Sequence, residues 1–157
     1  MKIADLFLKE CIEMDLQARN KWQAIHELSS FLFSAGKINS IEAFEQAVEQ
    51  REQQASTWVG FGIGIPHGKS SAVLEPSIAF GRSNAGVEFD SIDDQPVNLV
   101  FLLAIPDTVS NNEYLRALSE LARMLVHEDI RQQLLAAKTQ DDVFMVLRDY
   151  KRSEVTG

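Results

Sequence analysis

Residues 60–70 read GFGIGIPHGKS, and two kinds of chemistry compete for them. The ending Gly68-Lys69-Ser70 is that of a nucleotide loop, G-x-x-x-x-G-K-[ST], in which the intervening residues let backbone N–H groups wrap the phosphates. That spacing requires a glycine at position 63, where Ile63 stands, and Gly62 and Gly64 are each one residue out of step. The dinucleotide pattern G-x-G-x-x-G fails as well, since its third glycine falls on Ile65 counted from Gly60 and on His67 counted from Gly62. No helical pattern follows, because residues 70–75 run straight into Pro76. The spacing argues against a nucleotide.

The second chemistry is that of His67 itself. Pro66 fixes its own φ and biases Ile65 towards extended backbone. Gly68 is expected to leave the far side of the imidazole open to a partner, and Gly60, Gly62 and Gly64 leave alternate positions of the approach bare. A neutral imidazole with a pKa of about 6.5 has one nitrogen free to act as a nucleophile. The residues alone leave two readings open, a reactive histidine and a histidine that fills a turn. Other groups offer less. His26 lies in a helical pattern, and His127-Glu128-Asp129 lacks the second histidine of H-E-x-x-H, so no metal site is expected. Cys11 reads as a buried filler, and Asp93-Asp94, beside Gln95-Pro96, as turn residues.

The elements around this stretch can be read from periodicity. Residues 11–16 (CIEMDL) alternate as a half-buried strand, after a short helical turn. Asn20 with Gln23 resembles a capping box and opens a helix with Trp22, Ile25, Leu28 and Leu32 on one face, closed by Gly36. A second helix is expected over residues 40–53, with Ile41, Phe44 and Val48 inward and Glu42, Glu45, Glu49 and Glu52 outward. Short strands are expected around residues 63–65, 77–82 and 87–89. The run VNLVFLLAI (residues 97–105) has the pattern of a central strand covered on both faces. Ser110 and Glu113 form another box, opening a helix with Leu115, Leu118, Ala122 and Leu125 on one face. Two shorter helices follow, over residues 130–137 and 141–151, the second capped by Thr139. The interleaving predicts an α/β fold, a mixed β-sheet flanked by helices, in one domain over residues 1–152 with a frayed tail at 153–157.

Composition narrows the function classes. The chain has 157 residues, 45% hydrophobic and 24% charged, with a net charge of −8 and no basic run, so nucleic acid is not an expected partner. No apolar run approaches the roughly 18 residues of a membrane span. The N-terminus, MKIADLFLKECIEMD, is too acidic for a secretory leader, and one cysteine allows no internal disulfide. These features point to a cytoplasmic protein.

Three segments carry a family resemblance: REQQASTWVGFGIGIPHGKS (residues 51–70), PVNLVFLLAIP (96–106) and NEYLRALSELARML (112–125). Together they resemble the enzyme IIA domain of the bacterial phosphoenolpyruvate-dependent phosphotransferase system, of the fructose–mannitol type that includes a nitrogen-regulatory branch. The resemblance covers essentially the whole chain and rests on R-E-x-x-x-S-T followed by I-P-H-G. It implies a phosphotransferase component in which His67 accepts a phosphoryl group from the carrier HPr. Nε2 would carry the group and Nδ1 would face a backbone acceptor. His67 would then pass it to a cysteine of an enzyme IIB for sugar uptake. The alternative is a regulatory enzyme IIA whose phosphorylation state controls a protein partner. Arg51 is implied as the charge partner of the phosphoryl group and Thr57 as hydrogen-bond support, with Tyr114 and Gly68 lining the pocket. No cofactor or metal is implied, nor insertion into a membrane. One departure stands out. Many members carry a second histidine where this chain has Tyr114, which predicts a less cationic pocket that depends more on Arg51.

Overall fold

The apolar run VNLVFLLAIP needs cover on both faces, and its position in the sheet supplies it. In the computed structural model, which describes the backbone of residues 1–156 and side-chain surroundings up to Tyr150, it forms a strand, Val97–Pro106, with every residue but Asn98 buried. The strands in chain order are β1 (Phe7–Glu13), β2 (Trp58–Gly60), β3 (Ile63–Gly64), β4 (His67–Ser70), β5 (Ser77–Val87) and β6, the apolar strand. Among the described residues they make one six-stranded mixed sheet of order β1-β5-β6-β3-β2, with β4 also on β6. β5 runs antiparallel to β6, whereas β3 and β4 run parallel along its other edge.

Side-chain alternation along β6 feeds two cores. Leu99, Phe101, Leu103 and Ile105 pack with the turn Ile3–Leu6 and the later helices, α3 (Asn111–Val126), α4 (Glu128–Ala136) and α5 (Gln140–Thr156). Val100, Leu102 and Ala104 pack with α1 (Lys21–Ser34) and α2 (Ile41–Gln54). Each fully buried Leu, Ile or Phe side chain contributes about 1.5–3 kcal/mol, so this strand anchors both layers. The caps form as the sequence implies. Asn20 Oδ1 accepts from Gln23 N–H at 3.0 Å, while the Gln23 side chain accepts from Arg19 N–H at 2.9 Å. Ser40, Ser110 and Thr139 hydroxyls accept from Ala43, Glu113 and Asp142 N–H. Gly36, at φ +74°, follows α1 in the left-handed region.

Several expectations shift. The first strand is Phe7–Glu13 rather than residues 11–16, because Phe7 already pairs with Ile78 at the sheet edge. The strand at residues 77–82 does not end there but continues through Val87 as β5, with a register shift between Arg82 and Val87. On α1 Trp22 is 43% exposed and its neighbour Lys21 is buried instead. On α3 the buried stripe is Ala117, Leu121, Met124 and Leu125, with Leu115 turned out to solvent. Both α3 stripes satisfy helical spacing, and the packing partner chooses between them. Glu52, expected outward, is buried. The backbone of α5 runs on to Thr156, into the stretch expected as a tail. Gly157 lies outside the described residues.

One edge of β6 carries the glycine-rich segment. β3 pairs Ile63 with Leu99 and Gly64 with Val100, and β4 pairs His67 with Leu103 and Gly68 with Ala104, all in one unbroken register. Ile65-Pro66 interrupts only the ladder, since proline has no N–H to give; the Pro66 carbonyl still accepts from Leu103 N–H at 3.0 Å. Alternate residues therefore take alternate faces. Ile63 and Ile65 join the core on the α3 side, and His67 meets Tyr114 of α3. Gly64 and Gly68 lie on the other face. A Cβ on Gly64 would sit 2.6 Å from the Phe89 ring, and one on Gly68 would sit 2.8 Å from Val48 Cγ2 and 3.1 Å from Val48 N on α2. Gly68 does not leave an opening for a partner, as its lack of a side chain implied; α2 fills the space. Gly68→Ala should push β4 off α2 and lower stability by about 2 kcal/mol, measured by urea unfolding.

Candidate functional site

His67 is only 4% exposed, at the start of β4. Its Nδ1 lies 2.8 Å from the Ile65 carbonyl oxygen. A carbonyl only accepts, so Nδ1 carries the hydrogen, and in the neutral ring Nε2 keeps a free lone pair. The local sequence sets this up: Pro66 stiffens the link between the two residues, and the β6 register holds both ends of it. The Tyr114 ring meets the imidazole edge to face, centroids 5.7 Å apart at 76°.

Burial pushes the His67 pKa below its ordinary value, and the positive charge of Arg51 pushes it the same way. The Ile65 hydrogen bond and the negative charge of Glu52 pull it back up. The same burial raises the Tyr114 phenol to about 12, against a lowering by Arg51, so the phenol stays neutral at physiological pH. At neutral pH the site thus presents an uncharged nucleophile beside one guanidinium. Arg51 is half-buried in the last turn of α2, where Nη1 donates to the Ala55 carbonyl at 2.9 Å. That bond folds the guanidinium back over the helix end, and its charge acts on both His67 and Tyr114.

Thr57 is buried, but its hydroxyl does not turn to the imidazole. Thr57 Oγ1 donates to Glu52 Oε2 at 2.7 Å and Thr57 N–H to Glu52 Oε1 at 2.9 Å. Lys21 Nζ, itself buried, lies 3.4 Å from Glu52 Oε1 and 3.0 Å from Asp90 Oδ2. Burying a carboxylate costs several kcal/mol in desolvation unless donors replace its water, and these three donors do so. Glu52 and Lys21 are the residues that sequence reasoning missed. The one available clue was spacing: Glu52 lies four residues after Val48 and eight after Phe44, in line with the inward face of α2.

The remaining chemistry-bearing residues stand apart. His26 Nδ1 meets Glu45 Oε1 at 2.6 Å on the outside of α1 and α2, and His127 links α3 to α4 with its ring 5.8 Å from Tyr150. Lys69 Nζ donates to Asn111 Oδ1 at 3.0 Å, tying β4 to the start of α3. Cys11 is fully buried, and burial raises its thiol to about 12, so it is inert as a nucleophile. Among the described residues no three His, Cys, Asp or Glu side chains gather as a metal site.

Residues 5–150 match the family described as "Phosphoenolpyruvate-dependent sugar phosphotransferase system, EIIA 2". The chain belongs to that family. Among its EIIA relatives, the fructose-specific EIIABC component of Bacillus subtilis is 41% identical over 97% of this chain, which spans only 24% of that protein. The fructose-specific EIIA component of Haloferax volcanii is 40% identical over 89% of this chain and 90% of its own length. In structure, the nitrogen regulatory protein IIA-Ntr of Neisseria meningitidis superposes with a TM-score of 0.83 at 29% identity, covering 92% of this chain and 98% of that one. The mannitol enzyme IIA of Escherichia coli, solved in complex with phosphorylated enzyme IIB, superposes at 0.76 with 26% identity, covering 90% of this chain and 98% of that one. No helix among the described residues is long and apolar enough to cross a membrane.

The direction of the His67 shift has a consequence for stability. As pH falls below about 6.5, an unfolded histidine takes up a proton before the buried one does, so acidification through that window favours unfolding. NMR titration should place His67 below 6.5, its ordinary value. Replacing it by Gln should flatten the stability loss between 6.5 and the native pKa, a slope of at most about 1.4 kcal/mol per pH unit.

Proposed function

We propose that this EIIA domain is a phosphocarrier that accepts a phosphoryl group on His67 Nε2 from phospho-HPr and hands it to a cysteine of an enzyme IIB. The observation that carries this reading is the Ile65–His67 hydrogen bond, which leaves Nε2 as the free nucleophile of a neutral ring. The Nε2 lone pair forms the new N–P bond while the donor's N–P bond breaks, its electron pair staying on the donor nitrogen. The acceptor ring keeps its Nδ1 hydrogen and takes on positive charge, which the Ile65 carbonyl stabilises. Arg51 offsets the charge on the transferring oxygens. In the second transfer the Nε2–P bond breaks, the ring recovers its lone pair, and the cysteine thiolate takes the phosphoryl group.

Transfer of this kind asks for positioning and charge stabilisation rather than a cofactor. Leu115, 59% exposed and next to Tyr114, offers an apolar rim suited to a protein donor. The single buried cysteine, left as a free thiol, fits a cytoplasmic site of action. The likeness to IIA-Ntr favours a second reading, in which the phosphorylation state of His67 controls a regulatory partner. Both readings use the same site.

Incubation with phosphoenolpyruvate, enzyme I and HPr should add one acid-labile, alkali-stable phosphate. His67→Ala should lose it entirely, and uptake by the Ala variant would overturn the assignment. Arg51→Ala should slow uptake roughly a hundredfold, the usual loss for a charge-stabilising donor, with the fold unchanged by circular dichroism. Transfer from the phosphorylated protein to an enzyme IIB of the same cell separates the two readings. Failure with every IIB would leave the regulatory one.

A further inference from the structure

The hydrogen bond that orients His67 is the last of a series that begins on α1. Lys21 Nζ holds Glu52 Oε1, and Glu52 holds both the N–H and the hydroxyl of Thr57. The Thr57 carbonyl accepts from Ile65 N–H at 3.0 Å, and the Ile65 carbonyl in turn accepts from His67 Nδ1–H. Every member of the series is buried. We propose that Lys21, through Glu52, is a positioning residue for His67, fixing the peptide of Ile65 and so the tautomer and aim of the imidazole. It rests on the reading of His67 as phosphoryl acceptor and extends that site to a residue more than forty positions away in sequence.

Pro66 is held to β6 through its carbonyl, which accepts from Leu103 N–H, whereas Ile65 makes its own hydrogen bond on the opposite side, to the Thr57 carbonyl in the segment entering β2. β2 is a three-residue edge strand whose pairing shifts register between Trp58 and Gly60, and Glu52 holds Thr57, the residue just before it, by two hydrogen bonds. Glu52 in turn keeps its place because the Lys21 ammonium accompanies it into the interior. Lys21 is secured from its own side: its N–H donates to the Glu88 carbonyl at 2.9 Å, and its ammonium sits 5.6 Å from the centre of the Phe89 ring. The charged and titratable groups around the series are Arg51 and Glu52 from α2, Tyr114 from α3, and Asp90 from the loop after β5.

The test uses the full chain, unphosphorylated, with imidazole nitrogens labelled with nitrogen-15. Wild type should show a single neutral tautomer with the hydrogen on Nδ1. Lys21→Met should mix in the other tautomer, and phosphoryl uptake from phospho-HPr should fall about tenfold, a drop expected for a misplaced reacting group. The loss should lie in the maximal rate rather than in the apparent affinity for HPr, because Lys21 is buried and offers a partner almost no surface. Lys21→Arg should restore both readouts. A folded Lys21→Met protein with wild-type nitrogen signals and wild-type uptake overturns the proposal. If Lys21→Met does not fold, Lys21→Gln keeps a donor without the charge. It should show the same change in reduced form, and unchanged signals there overturn the proposal equally. Absence of phosphoryl uptake by wild type would instead refute the carrier reading, with the tautomer readout still intact.

Discussion

A single hydrogen bond, from His67 Nδ1–H to the Ile65 carbonyl, determines what this site can do. It joins residues two apart across a proline, a separation at which only a particular backbone course brings ring and carbonyl together. That course is set by the register along β6, where β3 and β4 behave as one strand with a proline-sized gap. The Pro66 carbonyl goes to Leu103 N–H on β6, so the Ile65 carbonyl faces away from that strand and holds the ring. The glycines serve the same geometry from the opposite face, since Phe89 and Val48 can approach β3 and β4 only where no Cβ intervenes. Nucleophile and packing are thus set by alternate residues of one segment.

Burial makes the imidazole neutral and the Tyr114 phenol reluctant to ionise, both through loss of water. At His67 the Ile65 hydrogen bond and the buried Glu52 carboxylate work against this, and the pairing of Glu52 with Lys21 keeps the pocket from becoming anionic. An anionic pocket would repel an incoming phosphoryl group at close range, where screening by salt is weak. The arrangement resolves a conflict: a carboxylate is the best acceptor for the two donors of Thr57, yet an unpaired one would oppose the site it braces.

The sheet was legible because its central strand has an unambiguous pattern, and three helix starts because Asn20, Ser110 and Thr139 use their side chains as caps. The place of His67 at a strand end was legible from the motif around it. What could not be read was rotation. Helical spacing allowed Trp22 or Lys21 inward on α1, and Leu115 or Ala117 on α3, and the contacts across the sheet chose the second of each pair. Glu52 escaped for a related reason. Glu42, Glu45, Glu49 and Glu52 form a regular polar stripe, and only the close approach of α2 to β4, permitted by Gly68, brings the last of them inside. Thr57, implied by the resemblance as hydrogen-bond support, is buried with its hydroxyl on that hidden carboxylate rather than on the imidazole.

Tyr114 gives the pocket its particular balance. On the proposed carrier reading, a phosphorylated Nε2 would leave the ring with its Nδ1 hydrogen and one positive charge, and Arg51 would supply the other cation. A second histidine at position 114 could add a third when protonated and hold the phosphate more firmly. A phenol held neutral by burial adds ring contact without charge. For a carrier that is an advantage: rapid transfer requires that the bound phosphoryl group be little more stable than the same group on donor or acceptor. Stabilisation confined to the transition state speeds both steps, whereas tighter holding of the intermediate would slow the second. If charge compensation rests on the guanidinium of Arg51 at the end of a helix, as proposed, such a site would favour passage of the group over its retention.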